Sequence, residues 1–257
     1  MIQIVARKVS MRTAIGAFVC AVAISASALA GLSDVVFDLQ ATNDTGAGQF
    51  KAMFTDGSFD SAANVFSWTL SGPVDVTNPS SGLTVATLNS GSLSVAGGSQ
   101  IDLRFNVTAG GSDTVFTVGS AVASFLTIPP DIAAARASAA VRVTDLTGDS
   151  AMLTGVGTPG TGAFLAGYNG SGMFTNLVAL VFAGANATGT GTQADPAFGT
   201  RPVGASVDDI WSNTNFSLTA NDEADISSTY MVVPEPASIV SLLMLGALLP
   251  LRRRGAN

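Results

Sequence analysis

The sequence predicts an all-β domain, a β-sandwich of jelly-roll type, flanked by an N-terminal signal peptide and a C-terminal single transmembrane helix. Three observations predict the β domain. Residues 31–233 contain one Lys, Lys51, and one Glu, Glu223, whereas exposed amphipathic helices draw heavily on both. The same stretch is crowded with Gly, Ser, Thr, Asn and Asp, the residues that favour turns. Between those turns, apolar and polar residues alternate with the two-residue period of a strand buried on one face.

In chain order, Phe66, Trp68 and Leu70 share one strand face, and Val65, Ser67 and Thr69 the other. Leu83/Val85 and Leu93/Val95 mark further strands, and Ile101 to Thr108 alternates without a fault. Strands at 139–144 and 150–155 are joined by a turn at Asp145 to Asp149. Tyr168-Asn169-Gly170-Ser171 is a tight hairpin turn. Phe216/Leu218 and Ile226/Ser228/Tyr230/Val232 close the set. Asp131 to Ala137, after Pro129-Pro130, is the one helical candidate, and residues 189–204 read as a long loop. Short strands about every 8–12 residues, without a fixed-period repeat, argue a sandwich.

The ends have a different composition. Arg7, Lys8 and Arg12 precede the apolar run Ala14–Ile24, and the small-residue pattern Ala28-x-Ala30 follows. That is the layout of a secretory signal peptide cut after Ala30 by the Sec-type export route, with Met1 or Met11 as the start. As a helix the run would reach only about 16 Å, too short to span a bilayer. At the other end, Ala237 to Leu251 carries no charge and is followed by Arg252, Arg253 and Arg254. This stretch reaches about 22 Å as a helix, adequate for a thin bilayer, and the arginines belong on the cytoplasmic side.

Val233-Pro234-Glu235-Pro236-Ala237, then an apolar helix, then a terminal Arg cluster closely resembles the PEP-CTERM sorting signal of Gram-negative bacteria. The defining residues fall on Pro234, Glu235 and Pro236, with the helix at 237–251 and Arg252 to Arg254 behind it. The resemblance implies recognition by exosortase, a membrane cysteine transpeptidase-like enzyme that cuts near the motif. It also implies release or transfer to the cell surface in species that make exopolysaccharide. It covers about the last 25 residues and is an address rather than an activity. The chain thus divides into a signal peptide (1–30), an exported β domain (31–230) and a sorting signal (231–257).

Charge and missing residue types exclude much chemistry. Residues 31–233 hold five basic and 17 acidic groups, a net of −12, which disfavours nucleic acid. The chain has no His, so Ser-His-Asp and Cys-His catalysis and His-ligated zinc are out. Its single Cys, Cys20, leaves with the signal peptide. Gly155-Val-Gly157-Thr-Pro-Gly160 spells a dinucleotide fingerprint, but it leads into a strand rather than a helix and reads as a turn.

Hard carboxylate ligands suit Ca²⁺, and Asp145, Asp149, Asp222 and Asp225 are the candidates, against aspartates that simply serve their own turns. No other cofactor is expected. The sequence expectation is a non-catalytic, exosortase-sorted surface or matrix protein, anchored through 237–251 until processed. Alternatives are a carbohydrate-binding module on exopolysaccharide, favoured by exposed aromatics around Trp211 or Tyr168, and a glycoside hydrolase or lyase, which needs two facing acids.

Overall fold

The computed structural model describes residues 31–97, 99–157 and 162–235. The signal peptide with Ala28 and Ala30, and the apolar stretch 237–251 with Arg252 to Arg254, lie outside the described residues. Among those described, no helix is long and apolar enough to cross a membrane. The one helical element among the described residues is a 3-10 turn, Phe54–Asp56.

The strands are β1 (Val35–Asn43), β2 (Gly46–Met53), β3 (Ser58–Asp60), β4 (Val65–Thr69), β5 (Val74–Thr77) and β6 (Thr84–Ala96). Then come β7 (Gln100–Ala109), β8 (Thr114–Ser120), β9 (Ala123–Ile128), β10 (Ala133–Thr144), β11 (Ala151–Gly155) and β12 (Phe164–Tyr168). The last six are β13 (Gly172–Leu177), β14 (Leu180–Ala183), β15 (Thr188–Asp195), β16 (Arg201–Pro202), β17 (Val207–Leu218) and β18 (Glu223–Pro234). They form two antiparallel sheets. The first runs β13-β12-β17-β8-β1-β2, with β11 and β9 also on β17 and β14 on β11. The second runs β15-β10-β18-β7-β6-β4-β3, with β16 on β10 and β5 on β6.

The pairings are nested. β12 pairs β13, β11 pairs β14, β10 pairs β15, β8 pairs β17 and β7 pairs β18. The segment from β7 to β12 therefore lies antiparallel to the segment from β13 to β18, and the doubled ribbon crosses from sheet to sheet as it goes.

Alternation decides what lies between the sheets. Ile101, Leu103, Phe105 and Val107 on β7 are buried, as are Ile226, Ser228, Tyr230 and Val232 on β18. Aromatic side chains meet across the gap. Phe37 on β1 stacks on Trp68 of β4 at 5.0 Å. Phe105 on β7 meets Phe216 of β17 at 6.4 Å, and Phe174 on β13 meets Tyr230 of β18 at 5.7 Å. Such pairs add about 0.5–1.5 kcal/mol each beyond area burial.

Three local expectations are corrected. Residues 133–137 are strand, not helix: Ala is the best helix former, but here β10 is hydrogen-bonded along its length to β18 and on its other side to β15 and β16. Most of 189–204 is ordered as β15 and β16, with the intervening loop at 196–200. Its Gly-Thr alternation is an edge strand in which Gly189 and Gly191 lie close against Phe182 and Val181. Asp145 to Ser150 is not a hairpin turn but carries the chain from β10 in the second sheet to β11 in the first. The hairpin at Asn169-Gly170 is present: Tyr168 pairs with Gly172 across a three-residue loop in which Asn169 and Gly170 take positive φ of +50° and +70°.

Candidate functional site

Asp145, Asp149 and Asp222 converge, with one carboxylate oxygen from each within 4.8 Å of the others. The β10–β11 crossover supplies the first two, and the turn from β17 into β18 supplies the third. Asp225, the fourth sequence candidate, is exposed on β18 abreast of Arg142 and Asn106, outside the cluster. It is left out because the turn holds Asp222 at the sandwich end while the next residues run away along the strand.

Asp145 is buried, with both oxygens occupied. Oδ1 accepts from the backbone N–H of Thr147 at 3.1 Å and Gly148 at 2.9 Å. Oδ2 accepts from Ser150 N–H at 3.2 Å and Asn186 N–H at 2.6 Å. Burial by itself pushes this carboxyl up, but the four backbone donors overcome that and hold it well below the usual carboxylate range. Asp222 goes the other way. Burial raises it, the charges of Asp145 and Asp149 add to the rise, and the Thr219 hydroxyl and Leu146 N–H oppose it.

The cluster is thus a clasp for two connections at one end of the sandwich. A cation there would face the N–H donors already aimed at Asp145, and its remaining oxygens would come from one exposed and one buried carboxylate. A Ca²⁺ site takes six to eight oxygens, of which the three carboxylates would supply part and backbone carbonyls or water the rest.

The aromatic expectations resolve differently. Trp68 is core. Trp211 is a strand residue of β17 rather than a loop residue, half-buried over Gly167, where an added Cβ would collide with the indole. Tyr168 packs against the core cluster. The freely exposed aromatics are Phe198, 90% exposed in the 196–200 loop, and Phe182, 60% exposed on β14. Sequence reasoning passed over both, since a Phe between Ala197 and Gly199 carries no periodic signal.

It also missed Arg201. Its Nε and Nη2 donate to Asp195 at 2.9 Å each, Nη2 donates to the Phe174 carbonyl at 2.8 Å, and the guanidinium lies 4.0 Å over the Phe174 ring. Phe174 belongs to the edge strand of the first sheet, and Asp195 and Arg201 to the edge of the second.

Of the residues expected to form a sorting signal, Pro234 ends β18 and the Glu235 N–H donates to the Ile132 carbonyl at 2.8 Å. Pro236 lies outside the described residues. Gly155 closes β11 and Gly157 follows it. Residues 158–161, Gly160 among them, lie outside the described residues, and the chain is next in strand at Phe164, where β12 begins.

No protein-family model matches the chain, and no curated protein is significantly similar to it.

Proposed function

We propose that the chain is an exported component of the cell surface or extracellular matrix, delivered by a PEP-CTERM-type signal and serving a structural or adhesive role without catalysis. The observation that carries the reading is the order of Pro234-Glu235-Pro236, an uncharged apolar stretch and Arg252 to Arg254 at one terminus. Exosortase would act at the motif after export, with 237–251 holding the chain in the membrane until then. That the last strand ends at Pro234, the first residue of the motif, supports it. We read the nested strand pairing as a jelly-roll, a closed architecture suited to a passive exported module. Neither the strong negative charge nor the residue inventory favours nucleic acid, thiol or imidazole chemistry.

The glycoside hydrolase alternative finds little to stand on. The groove lined by residues of β7, β10, β15 and β18 contains one carboxylate, Asp102, where hydrolysis needs two facing acids. The carbohydrate-binding alternative is favoured by that same groove together with Phe198. Intact mass of the protein recovered from the cell surface tests the sorting reading. A chain ending near Pro234 or Glu235 supports it, and one retaining Arg252 to Arg254 overturns it.

A further inference from the structure

The outer face of the second sheet carries a groove of about 410 Å³. Its floor is built in register from four strands. One row runs Arg104 on β7, Ser227 on β18, Ala140 on β10 and Thr192 on β15. The next runs Asp102, Thr229, Ser138 and Ala194 across the same strands. At a strand spacing of about 4.8 Å, the floor is about 14 Å wide. Every one of these residues is short except Arg104, so the strands themselves form a trough.

The chemistry of the trough is that of hydroxyls flanked by one cation and one anion. Arg104 is exposed and forms no ion pair or hydrogen bond among the described residues, which leaves its five N–H donors to solvent. Asp102 is fixed by the Thr229 hydroxyl at 2.6 Å and the Gln100 amide at 2.7 Å. At the rim, Ala197 lines the groove and its carbonyl accepts from Arg136 at 3.2 Å. The next residue is Phe198, 90% exposed. Leaving a whole Phe in water is unfavourable, and an exposed Phe one residue along the chain from a polar trough offers the pairing that sugar rings need: a C–H face to cover and hydroxyls to bond.

Charge narrows the ligand. The outward charged residues of β7, β10 and β18 are Arg104, Arg136 and Arg142 against Asp102, Glu223 and Asp225. This face is balanced, within a domain whose net charge is −12 and which therefore repels a polyanion. We propose that this groove, with Phe198 at its rim, binds a strand of an uncharged polysaccharide. The proposal deepens the carbohydrate-binding alternative and is independent of how the protein is sorted, so either can fail without the other.

Affinity electrophoresis of the purified protein in gels containing, one at a time, neutral β-glucan, mannan, xylan, galactan and dextran tests it, with a polyuronate gel alongside. Retardation in at least one neutral gel is expected, insensitive to added salt. F198A and R104A lie at exposed positions and should leave the β-sheet circular dichroism unchanged. F198A and R104A should each weaken that retardation about tenfold, the scale of losing one ring contact or one charged hydrogen-bond donor. F182A, which removes the other exposed Phe, should leave it within about twofold. Mobility unchanged in all five neutral gels overturns the proposal. So does retardation by the polyuronate alone that salt abolishes, or neutral binding that survives both groove variants.

Discussion

Arg201 holds the open side of the sandwich shut, and removing it should be measurable. It reaches from the edge of the second sheet to the edge of the first, through Asp195 on its own side and the carbonyl and ring of Phe174 on the other. Its side chain is 40% exposed and that of Asp195 29%, so the ion pair contributes at the screened level of about 0.2–1 kcal/mol despite its two-pronged geometry. The hydrogen bond to the carbonyl contributes about 0.5–1.5 kcal/mol and the cation over the ring about 0.5–1 kcal/mol. Together R201A should lose about 2 kcal/mol, a fall in Tm of about 4–8 °C for a domain of this size. R201K keeps the charge but neither the fork nor the stacking plane, and should recover less than half. Hydrogen exchange should rise in β13 and β15 while β6 and β7 stay protected, since the lost contact is local to that edge. The hydrogen bond from Arg201 depresses Asp195 below its ordinary range. Its contribution is therefore present above the ordinary carboxylate pKa and fades as pH falls through the lowered one. Thermal unfolding of R201A, D195A and the double variant gives the coupling directly. A Tm for R201A within about 1 °C of wild type refutes the staple, whereas the coupling to Asp195 measures only the ion pair on its own side.

Two further perturbations follow from buried polar groups. Tyr230 is fully buried and its hydroxyl has no hydrogen-bond partner among the described residues, so Y230F removes an uncompensated group and should raise Tm by about 2–4 °C. A lower Tm would reveal a partner for that hydroxyl. In the aspartate clasp, D145N should lower Tm at pH 7, and D222N should hold or raise it. The lowered carboxyl of Asp145 contributes stability above the ordinary carboxylate range and loses it as pH falls. The raised carboxyl of Asp222 contributes stability at low pH and loses it as pH rises through its folded-state value. The D222N difference should therefore shrink as pH falls towards the ordinary carboxylate value, and the D145N difference, of opposite sign, only as pH falls below it. Equal signs at pH 7 would contradict the assignment, as would a shift of the wild-type melt with calcium or chelator.

What could be read from the sequence was what repeats along one strand. Ile101 to Val107 and Ile226 to Val232 announce their buried faces because the two-residue period sets the inner face of a sheet whatever its neighbours are. Ala133 to Ala137 was misleading for the complementary reason: its local propensity is helical, and only hydrogen bonds to β18, β15 and β16, which no local pattern contains, make it a strand. Three of the four candidate aspartates come together because turns cluster at the ends of a sandwich, and proximity there needs no knowledge of strand order.

The groove is different in kind. Arg104, Ala140, Thr192 and Ser227 are abreast although 123 positions separate the first from the last in the chain. They meet only because β18 inserts between β7 and β10. Outward residues are also under no packing demand, so nothing about Ser138 or Ser227 alone marks them apart from any other solvent-facing serine. A surface built by crossover topology becomes visible only when the strand order is known, and here that order places the last strand in the middle of a sheet. Function grafted on such a face leaves the alternation intact and is written entirely in the residues that alternation leaves free.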